Sequence, residues 1–571
     1  MVSLLAVAFF VCACPVPDVD DGAFFHSISI ISGISSPEDL DEYELERFRS
    51  LEEHPIDLNN ASRTRLLSCG LFTAYQVASL LDYISRYGDI LSFPELAAVD
   101  GIGKERAEAL KVFVTLKTNA PPGQTAGRRV EGEAVAKSAL RVRNESPGVA
   151  GERDLRWNYA ARFGMEIGRG LEFSVSASQD YDGPRLPPDA YSFFVAYYGR
   201  RSLGKVVVGD FNLRFGQGLA LWSGMSMDKL TTPAAFTRNP TGIVPSSSFS
   251  GTYCQRGVGA EFSLGHFQLS AATAFPGLQK VMSSPGKVTT PPGIMPVLSL
   301  THIGRIHRVS VTSYVSMISG SPGLSLGQGS LSSDFIVCVR GTDIFGEAVW
   351  DFVGRRPLAL AGVRSRFGEN LTGALQFRYL GRDCHEAMTA LQWKSLTVSA
   401  DARYITKDRH FQFSAVSSLS SPIGSALKLD ARLTYRLRNW DERHQADLRC
   451  DLKWESGHWL SVLRVNAHYC TAFSGLTYLE GGWKPRAKTS LYVRVGAFHI
   501  DGWANRIYVY ERDAPGNFNV PALYGRGMWG TCYASVQCGR MTKLCLRVSG
   551  MTKNNPRLVS GDIRMHCAVN F

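Results

Sequence analysis

The most constraining feature of this 571-residue chain is an alternation of apolar and polar side chains that recurs over most of its length. In the segment 427–437, apolar residues alternate with a second set, namely Lys428, Asp430, Arg432, Thr434 and Arg436. The same alternation occurs in 396–404, 446–454, 463–469 and 491–497. Because successive side chains of a strand point to opposite faces, each segment predicts a β-strand with one apolar and one polar face.

Repeated strands of this kind predict a closed barrel in a membrane. No segment after the first few residues offers the ~20 apolar residues that a membrane helix needs, whereas alternating segments of about ten residues are typical of transmembrane barrels. We count roughly twenty to twenty-three of them between 155 and 571. The fold class is therefore mainly β, a large antiparallel transmembrane β-barrel of about 20 strands over 154–571. A soluble sandwich or propeller is the alternative, but the chain has no blade-length repeat.

The C-terminus carries a ten-residue alternating segment, 562–571. Ile563, Met565, Cys567, Val569 and Phe571 share one face. A final strand that ends in phenylalanine resembles the assembly signal of bacterial outer-membrane barrels. The resemblance implies a location in the bacterial outer membrane, contact with its lipids, and recognition of Phe571 by the barrel-assembly machinery.

The N-terminal residues predict export. The apolar run 4–14 is too short to span a bilayer as a helix and is typical of a signal-peptide core, so we assign 1–17 as a signal peptide. Cys14 lies in a loose match to a lipoprotein cleavage box, which leaves lipidation open. The segment 18–54 is strongly acidic and predicts a flexible region with at most one amphipathic helix.

The segment 55–118 predicts a small all-α domain of two helix-hairpin-helix repeats. The second repeat places Gly101-Ile102-Gly103 between two amphipathic helical patterns, and the glycines permit the backbone angles of a tight turn. The first repeat has Gly70 at the matching position. Together with the start Asn59-Asn60-Ala61-Ser62, these repeats resemble the helix-hairpin-helix domain of competence DNA receptors of the ComEA type. The resemblance covers about 60 residues and implies a periplasmic domain that binds the DNA backbone without sequence specificity.

Seven residues are the candidate nucleic-acid contacts: Gly101, Ile102, Gly103, Lys104, Arg106, Gly70 and Thr73. Exposed backbone amides at the start of a helix are a natural seat for a phosphate. The domain is electrically neutral, however, because its basic and acidic residues balance, and non-specific DNA affinity depends on net positive charge. Two functions therefore stay open: DNA capture or uptake, and a non-catalytic envelope component whose hairpin domain docks a periplasmic protein.

Charge is unevenly distributed along the chain. The first 118 residues carry −9, whereas residues 119–571 carry +20. A basic lumen or basic loops would attract DNA, lipopolysaccharide phosphates or acidic glycans; neutralisation of anionic lipid head groups is the competing explanation. The segment 119–153 is rich in Gly, Ala, Pro and Arg and predicts a linker that lets the hairpin domain sit below the barrel or plug it.

Three other segments are distinctive. The tracts 229–251 and 276–298 are rich in Pro, Ser and Gly and predict long loops or an inward-folded plug. The segment 209–219 contains Gly209, Gly216 and Gly218 around Arg214, which implies a bend or a close backbone approach. This segment also resembles one found in a poorly characterised family of helix-hairpin-helix outer-membrane proteins, and that resemblance implies no activity.

Motifs for catalysis, cofactors and metals are not found in the sequence. It has no phosphate-binding loop, no nucleophile elbow and no Cys-x-x-Cys pair after the leader. His499 and Asp501 fall in a predicted loop, where a solvated pair is the simpler interpretation. We therefore expect neither an enzyme nor a cofactor or metal site.

Overall fold

The computed structural model describes residues 21–34, 36–40, 42–117, 130–143, 154–168, 170–179, 181, 188–199, 202–223, 230–249, 254–276, 293–320, 323–368, 370–382, 384–441, 443–486, 489–515, 517, 519–539, 541–553 and 555–571. The predicted signal peptide, with Cys14, lies outside these residues.

Strands make up most of the described chain. In chain order they are β1 (Ile56–Asp57), β2 (Val114–Thr115), β3 (Val130–Arg143), β4 (Asp154–Ile167), β5 (Leu171–Gln179), β6 (Ala190–Tyr198), β7 (Leu203–Arg214), β8 (Gly242–Pro245), β9 (Gln255–Leu264), β10 (Phe267–Ala274), β11 (Gly293–Ile303), β12 (His307–Gly320), β13 (Gly323–Val339), β14 (Thr342–Asp351), β15 (Arg356–Phe367), β16 (Leu371–Tyr379), β17 (Cys384–Trp393), β18 (Leu396–Ile405), β19 (His410–Pro422), β20 (Leu427–Arg438), β21 (Arg443–Ser456), β22 (Trp459–Tyr469), β23 (Phe473–Arg486), β24 (Thr489–Ile500), β25 (Ile507–Tyr508), β26 (Ala522–Leu523), β27 (Gly525–Cys538), β28 (Thr542–Lys553) and β29 (Asn555–Asn570).

The main sheet closes into an antiparallel barrel, as the alternation predicted. Its wall runs from β3 to β7, continues from β9 to β24 and from β27 to β29, and closes where β29 pairs with β3; the short strand β8 pairs with β7 beside the wall. The wall therefore has 24 strands, and our count of about 20 was too low. One omitted strand is β3, which lies inside the range 119–153 that we predicted to be a linker. Its small residues hide the alternation, and only pairing with β29 reveals the strand.

The wall is apolar outside and polar inside. In β22, Leu463 and Val465 are 43% and 49% exposed, whereas the alternate residues Arg464 and Asn466 are each 7% exposed. Water would disfavour so continuous an apolar outer surface, and lipid would favour it. Closure pairs the backbone groups that lipid cannot satisfy. The barrel is therefore a transmembrane barrel of the outer-membrane type, in agreement with the predicted location.

Aromatic residues mark both edges of this apolar surface. Trp393 and Trp459 are more than half exposed near one rim, and Trp157 and Trp350 are about half exposed near the other. Amphipathic rings at these two levels are typical of membrane–water interfaces. Trp529 differs from these residues, because it is buried and faces inward.

The two rims differ in their connections. At one rim, which we call the short-turn rim, strands are joined by tight turns such as 265–266, 304–306 and 340–341. The opposite, long-loop rim carries the long connections, including 215–254 and 501–524. Outer-membrane barrels have short periplasmic turns and longer external loops, so the short-turn rim is the periplasmic one.

Phe571 completes the short-turn rim. Its backbone nitrogen donates to the Gly132 carbonyl at 2.9 Å, and its own carbonyl accepts from the Gly132 nitrogen at 2.8 Å. Its ring stacks on Phe163 with centroids 5.8 Å apart. A side chain at Gly132 would collide with the Phe571 ring. Met565 faces outward and His566 faces inward, in agreement with the two faces read from the sequence.

The N-terminal region folds into one helical body, which we call the plug (residues 21–117). Its helices are α1 (Asp21–Ser32), α2 (Glu42–Glu53), α3 (Arg63–Ser68), α4 (Ala74–Tyr87), α5 (Phe93–Ala98) and α6 (Gly103–Leu110), with a 3-10 helix at Pro37–Asp39. None of the described helices is long and apolar enough to cross a membrane.

The described residues of the plug share one apolar core, which joins α1 and α2 to the helices α3 to α6. Phe113, after α6, packs against Phe24 of α1 and Phe48 of α2, with ring centroids 5.9 Å and 5.4 Å apart. The described part of the acidic segment is therefore largely helical, with two α-helices where we expected at most one, because its apolar residues complete this core. β1 and β2 pair in parallel and tie the two ends of the hairpin repeats together.

Local signals explain where the hairpin helices begin. Thr73 caps α4: its hydroxyl accepts from the Gln76 nitrogen at 3.1 Å, and the Gln76 side chain accepts from the Thr73 nitrogen at 2.9 Å. This reciprocal capping box satisfies two amides that the helix leaves unpaired. Ser62 and Ser92 cap α3 and α5 in the simpler way.

Candidate functional site

The plug lies in the barrel lumen at the short-turn rim. The Arg65 guanidinium makes two hydrogen bonds of 2.8 Å to the Glu166 carboxylate at the end of β4. Arg63 donates to the Gly265 carbonyl in the turn between β9 and β10 at 3.2 Å. Deeper in the lumen, α1 and α2 approach wall residues from other strands. A helical body thus occupies the barrel interior, where its contacts to the wall form the candidate site.

The centre of this site is a pair of arginines that face each other across two strands. Arg432 in β20 is directly opposite Arg449 in β21, and both point into the lumen. Like charges in directly opposed positions destabilise a sheet. The plug compensates, because Asp39 accepts from Arg432 at 2.7 Å and Glu38 accepts from Arg449 at 2.9 Å.

The two carboxylates belong to a short structure that we call the acidic turn (residues 36–39). Ser36 is extended, and Pro37 then starts the 3-10 helix that presents Glu38 and Asp39 to the wall. Glu38 also accepts from Arg464 of β22 at 2.8 Å and from the Tyr510 backbone nitrogen at 3.3 Å. One turn of the plug therefore contacts strands β20, β21 and β22 and the connection 501–524.

Burial by itself would raise the pKa of Glu38. The neighbouring charges of Arg449 and Arg464, with hydrogen bonds from Ser36 and Arg464, outweigh that effect and hold the Glu38 pKa well below its ordinary value. The carboxylate is therefore ionised at every pH near neutrality, and its ion pairs with the wall persist.

A second arginine pair lies on the same two strands, nearer the long-loop rim. Arg438 is directly opposite Arg443, and Arg436 follows one step along the same lumenal face. These side chains line a cavity of about 790 Å³ that also reaches the acidic turn; we call it the vestibule. No described carboxylate lies within salt-bridge distance of Arg436 or Arg438.

Most other lumenal arginines are paired. Among the described residues, these ion pairs include Arg256 with Asp210, Arg308 with Asp334, Arg494 with Glu480, Arg547 with Glu511 and Arg564 with Asp513. Buried charges are costly unless they are paired and hydrogen-bonded. The vestibule therefore stands out as a place where cations line open space.

The connection 215–254 also enters the barrel, where a wall carboxylate holds its first turn. Glu347 of β14 accepts backbone hydrogen bonds from Gln217 at 2.8 Å, Leu219 at 2.9 Å and Ala220 at 3.2 Å. Gly216 and Gly218 have φ angles of +70° and +88°, which place these amides around the carboxylate. The glycines of the segment 209–219 thus anchor an inner loop.

The predicted DNA-contacting residues separate into two groups. Gly101, Gly103 and Lys104 are exposed at the start of α6, while Ile102 is buried in the plug core. Asp100 and Glu105 are exposed beside them. Carboxylates at this position repel the negative charge of a phosphate group.

The remaining predicted contacts are engaged inside the protein. The Thr73 hydroxyl caps α4, and Arg106 donates to the Leu71 carbonyl, a bond that joins the two hairpins. Gly70 packs against Arg47 and lies close to Thr241 of the inner loop. Burial and the nearby charge of Arg364 lower the pKa of Arg106 to about 10, which leaves it protonated at neutral pH. The first hairpin thus faces the barrel.

Sequence reasoning missed the acidic turn and the vestibule. The only signal was the opposite charge of the first 118 residues and the rest of the chain. Charge asymmetry does not say which carboxylate meets which arginine, and the two partners are separated by about 400 residues. Among the described residues, no group of three or more His, Cys, Asp or Glu side chains is arranged to hold a metal ion.

No family model matches this chain. No curated protein matches it. Solved structures that align with it include the outer membrane protein opdK from Pseudomonas aeruginosa (8% identity, 78% of this chain and 98% of that chain, TM-score 0.30) and OccAB4 from Acinetobacter baumannii (9%, 79% and 100%, TM-score 0.30). A BenF-like porin from Pseudomonas fluorescens Pf-5 is similar at 10% identity, 77% and 99% coverage and a TM-score of 0.29. TM-scores this low assign neither a family nor an activity.

Proposed function

We propose that this protein is an outer-membrane transport channel that its own N-terminal plug closes. The observation that carries the proposal is the acidic turn, whose carboxylates neutralise arginines of the lumen wall. A barrel whose lumen held no plug would leave Arg432 without Asp39 and would leave Arg449, opposite it, with Asp451 as its remaining described carboxylate partner. The charges of the lumen wall are therefore complementary to those of the plug.

The division of contacts supports a plug that moves as a unit. Its interior is one apolar cluster, which holds the helices together. Its contacts with the wall are mainly ion pairs and hydrogen bonds, such as Arg162 to Glu46 at 2.8 Å and Arg65 to Glu166. Polar contacts can be exchanged for water at a small net free-energy difference, whereas an apolar core cannot. Displacement of the intact plug is thus the expected route to an open pore.

The lumenal charges favour anions as the transported class. Rings and clusters of arginine are the selectivity elements of anion pores. Residues 119–571 carry a net charge of +20, and the vestibule brings several of these cations together. A positive lumen raises the local concentration of anions and speeds their entry.

Conductance in planar lipid bilayers tests the proposal. The full chain should be mostly closed, and the double variant Glu38→Gln, Asp39→Asn should open far more often, with preference for anions over cations. The matched control removes two exposed plug carboxylates that make no described hydrogen bond or ion pair with the wall, Glu105→Gln with Glu108→Gln, and should behave like the wild type. Equal conductance in all three proteins would refute the plug.

DNA handling is the second candidate, and the exposed turn at Gly101, Gly103 and Lys104 is the observation in its favour. The measurement is binding of a short duplex to the full chain in detergent, because a fragment that lacks α1 and α2 would lose part of the plug core. Salt-sensitive binding that Lys104→Glu abolishes, and Lys117→Glu leaves intact, would support it. Absence of binding at low salt would leave docking of a periplasmic protein as the role of this turn.

A further inference from the structure

We propose that the vestibule is a binding site for a small polyanion that carries at least two carboxylate or phosphate groups. The inference rests on the proposed channel function and adds a substrate class to it. Its basis is a repeated arrangement on β20 and β21, one copy of which is occupied by the protein itself.

The two copies have the same geometry. Arg432 opposite Arg449 and Arg438 opposite Arg443 are cross-strand arginine pairs on the same lumenal face. They are six residues apart on each strand, which is about 20 Å along the strand. Asp39 and Glu38 neutralise the first pair. For the second pair, the nearest described carboxylate is Asp441, 3.5 Å from the exposed side chain of Arg443. The acidic turn thus shows which ligand chemistry this arrangement accepts.

Three side chains that line the vestibule carry a buried polar atom with no hydrogen-bond partner among the described residues. The Nε atoms of Arg436 and Arg438 and the Nε2 atom of His468 are buried and make no hydrogen bond to a described residue. All three residues line the same cavity. Buried polar atoms are almost always bonded, so the described protein residues do not fully satisfy the side chains on this part of the lining. Guanidinium groups are suited to bidentate recognition of carboxylate and phosphate.

The acidic residues of the vestibule do not cancel this charge. Glu386 is bonded to Arg403, and Asp447 lies 3.3 Å from the other ring nitrogen of His468. Asp401 is bonded to Ser414 and is the nearest charge opposing Arg436, beyond salt-bridge distance. The long-loop end of the cavity, where Arg438 and Arg443 lie, has no other described acid in its lining than these.

The size of the site favours more than one acidic group. Arg436 and Arg438 lie two residues apart on one strand, about 7 Å, with Arg443 across from Arg438. A single carboxylate offers two oxygens to these three guanidinium groups. A solute with two or three acidic groups can contact all three, and a cavity of about 790 Å³ has room for it.

Isothermal titration of the full chain in detergent tests the site. Citrate and inorganic pyrophosphate are the probes, and acetate is the singly charged comparison. Citrate or pyrophosphate should bind at least tenfold more tightly than acetate. The variant Arg436→Gln with Arg438→Gln should weaken that binding at least tenfold. The stronger of the two probes identifies the acidic group, carboxylate or phosphate, that the site prefers.

The matched control removes two cations from the same hairpin outside the vestibule, Lys428→Gln with Lys453→Gln, and should change affinity less than twofold. Arg443→Gln, at an exposed strand end, should weaken binding about threefold and replaces the double variant if that protein does not fold. No binding by the wild type, or equal binding by all variants, would overturn the site. The titration measures binding directly and needs no channel current. It can therefore detect the site even if the conductance experiment refutes the plug.

Discussion

Glu38 in the plug accepts a hydrogen bond from Arg464 in the barrel wall at 2.8 Å, although 426 residues separate them in the chain. Arg464 also pairs with Asp451 in the neighbouring strand, so the guanidinium links a fixed wall carboxylate to a plug carboxylate. Loss of the plug leaves Arg464 with Asp451 as its described carboxylate partner, whereas loss of the Glu38 carboxylate removes the plug's ion pairs to both Arg449 and Arg464. This relationship makes Glu38 the most sensitive position for testing how the plug is held.

Substitution Glu38→Gln should loosen the plug without unfolding it. The change removes a charge that four donors share, and a hydrogen bond to a charged group contributes about 2 kcal/mol. Thr64 is buried at the plug surface next to Gly204 of the wall, so a Thr64→Cys reporter measures undocking. Its maleimide labelling should be about 30-fold faster with Glu38→Gln, and Glu108→Gln should leave the rate unchanged. An unchanged rate with Glu38→Gln would contradict the role of this contact.

The closed state should withstand mild acid. The pKa of Glu38 is held well below 4.5, so its ion pairs contribute stability above that value, and this contribution is lost as the pH falls through the lowered folded-state pKa. Conductance should therefore stay low from pH 7 to pH 5 and rise only at pH values well below 4.5. In Glu38→Gln the same transition should be missing, because that group no longer titrates. Opening of the wild type at pH 6 would mean that a different group controls the plug.

Substitution Gly216→Ala should release the inner loop. Gly216 has a φ of +70°, and an added Cβ would lie 2.5 Å from the Glu347 carboxylate. Strain in that backbone region costs about 1–2 kcal/mol, and the clash adds to it. Tryptic cleavage at Arg238 should become faster in Gly216→Ala and in Glu347→Ala, whereas Gly424→Ala, which meets open space, is the control. Resistance equal to that of the wild type would show that the loop is held elsewhere.

Removal of the Phe571 ring should lower the yield of assembled barrel. The ring stacks on Phe163 and covers Gly132 at the junction of the first and last strands, so Phe571→Ala leaves that junction exposed. Heat-modifiable migration of outer-membrane fractions measures the folded protein, and we expect a severalfold decrease. Asn570→Ala keeps the ring and should assemble normally. Normal assembly of Phe571→Ala would show that the terminal phenylalanine is not needed for barrel assembly.

Local pattern was sufficient for much of the fold. Alternation assigned the faces of β20 and β29, because in a closed sheet every second side chain must meet lipid. Helix starts carry local signals as well, although we interpreted Thr73 as a nucleic-acid contact: its side chain caps α4 by bonding Gln76, three residues further along. Such signals involve neighbours in sequence, so they can be read before any tertiary structure is known.

The strand count and the order of the acidic segment could not be read in this way. The alternation of apolar and polar residues in β3 is weak, and its strand conformation depends on backbone pairing with β29. The acidic segment looked like a solvated charge run, yet Phe24 and Phe48 give it a core and Arg449 gives its carboxylates a partner. Both outcomes depend on residues far away in the chain.

By itself, the sequence determined that this protein forms a β-barrel, which strand faces meet lipid, and where the hairpin helices begin, because these properties follow from side-chain period and local hydrogen bonds. Only the tertiary structure decided that the helices occupy the lumen, that Glu38 and Asp39 neutralise one arginine pair, and that Arg436 and Arg438 face open space. These arrangements depend on which charged side chains come within a few ångströms of each other when the barrel closes. Coulomb interactions act through distance in space and leave no periodic trace along the chain.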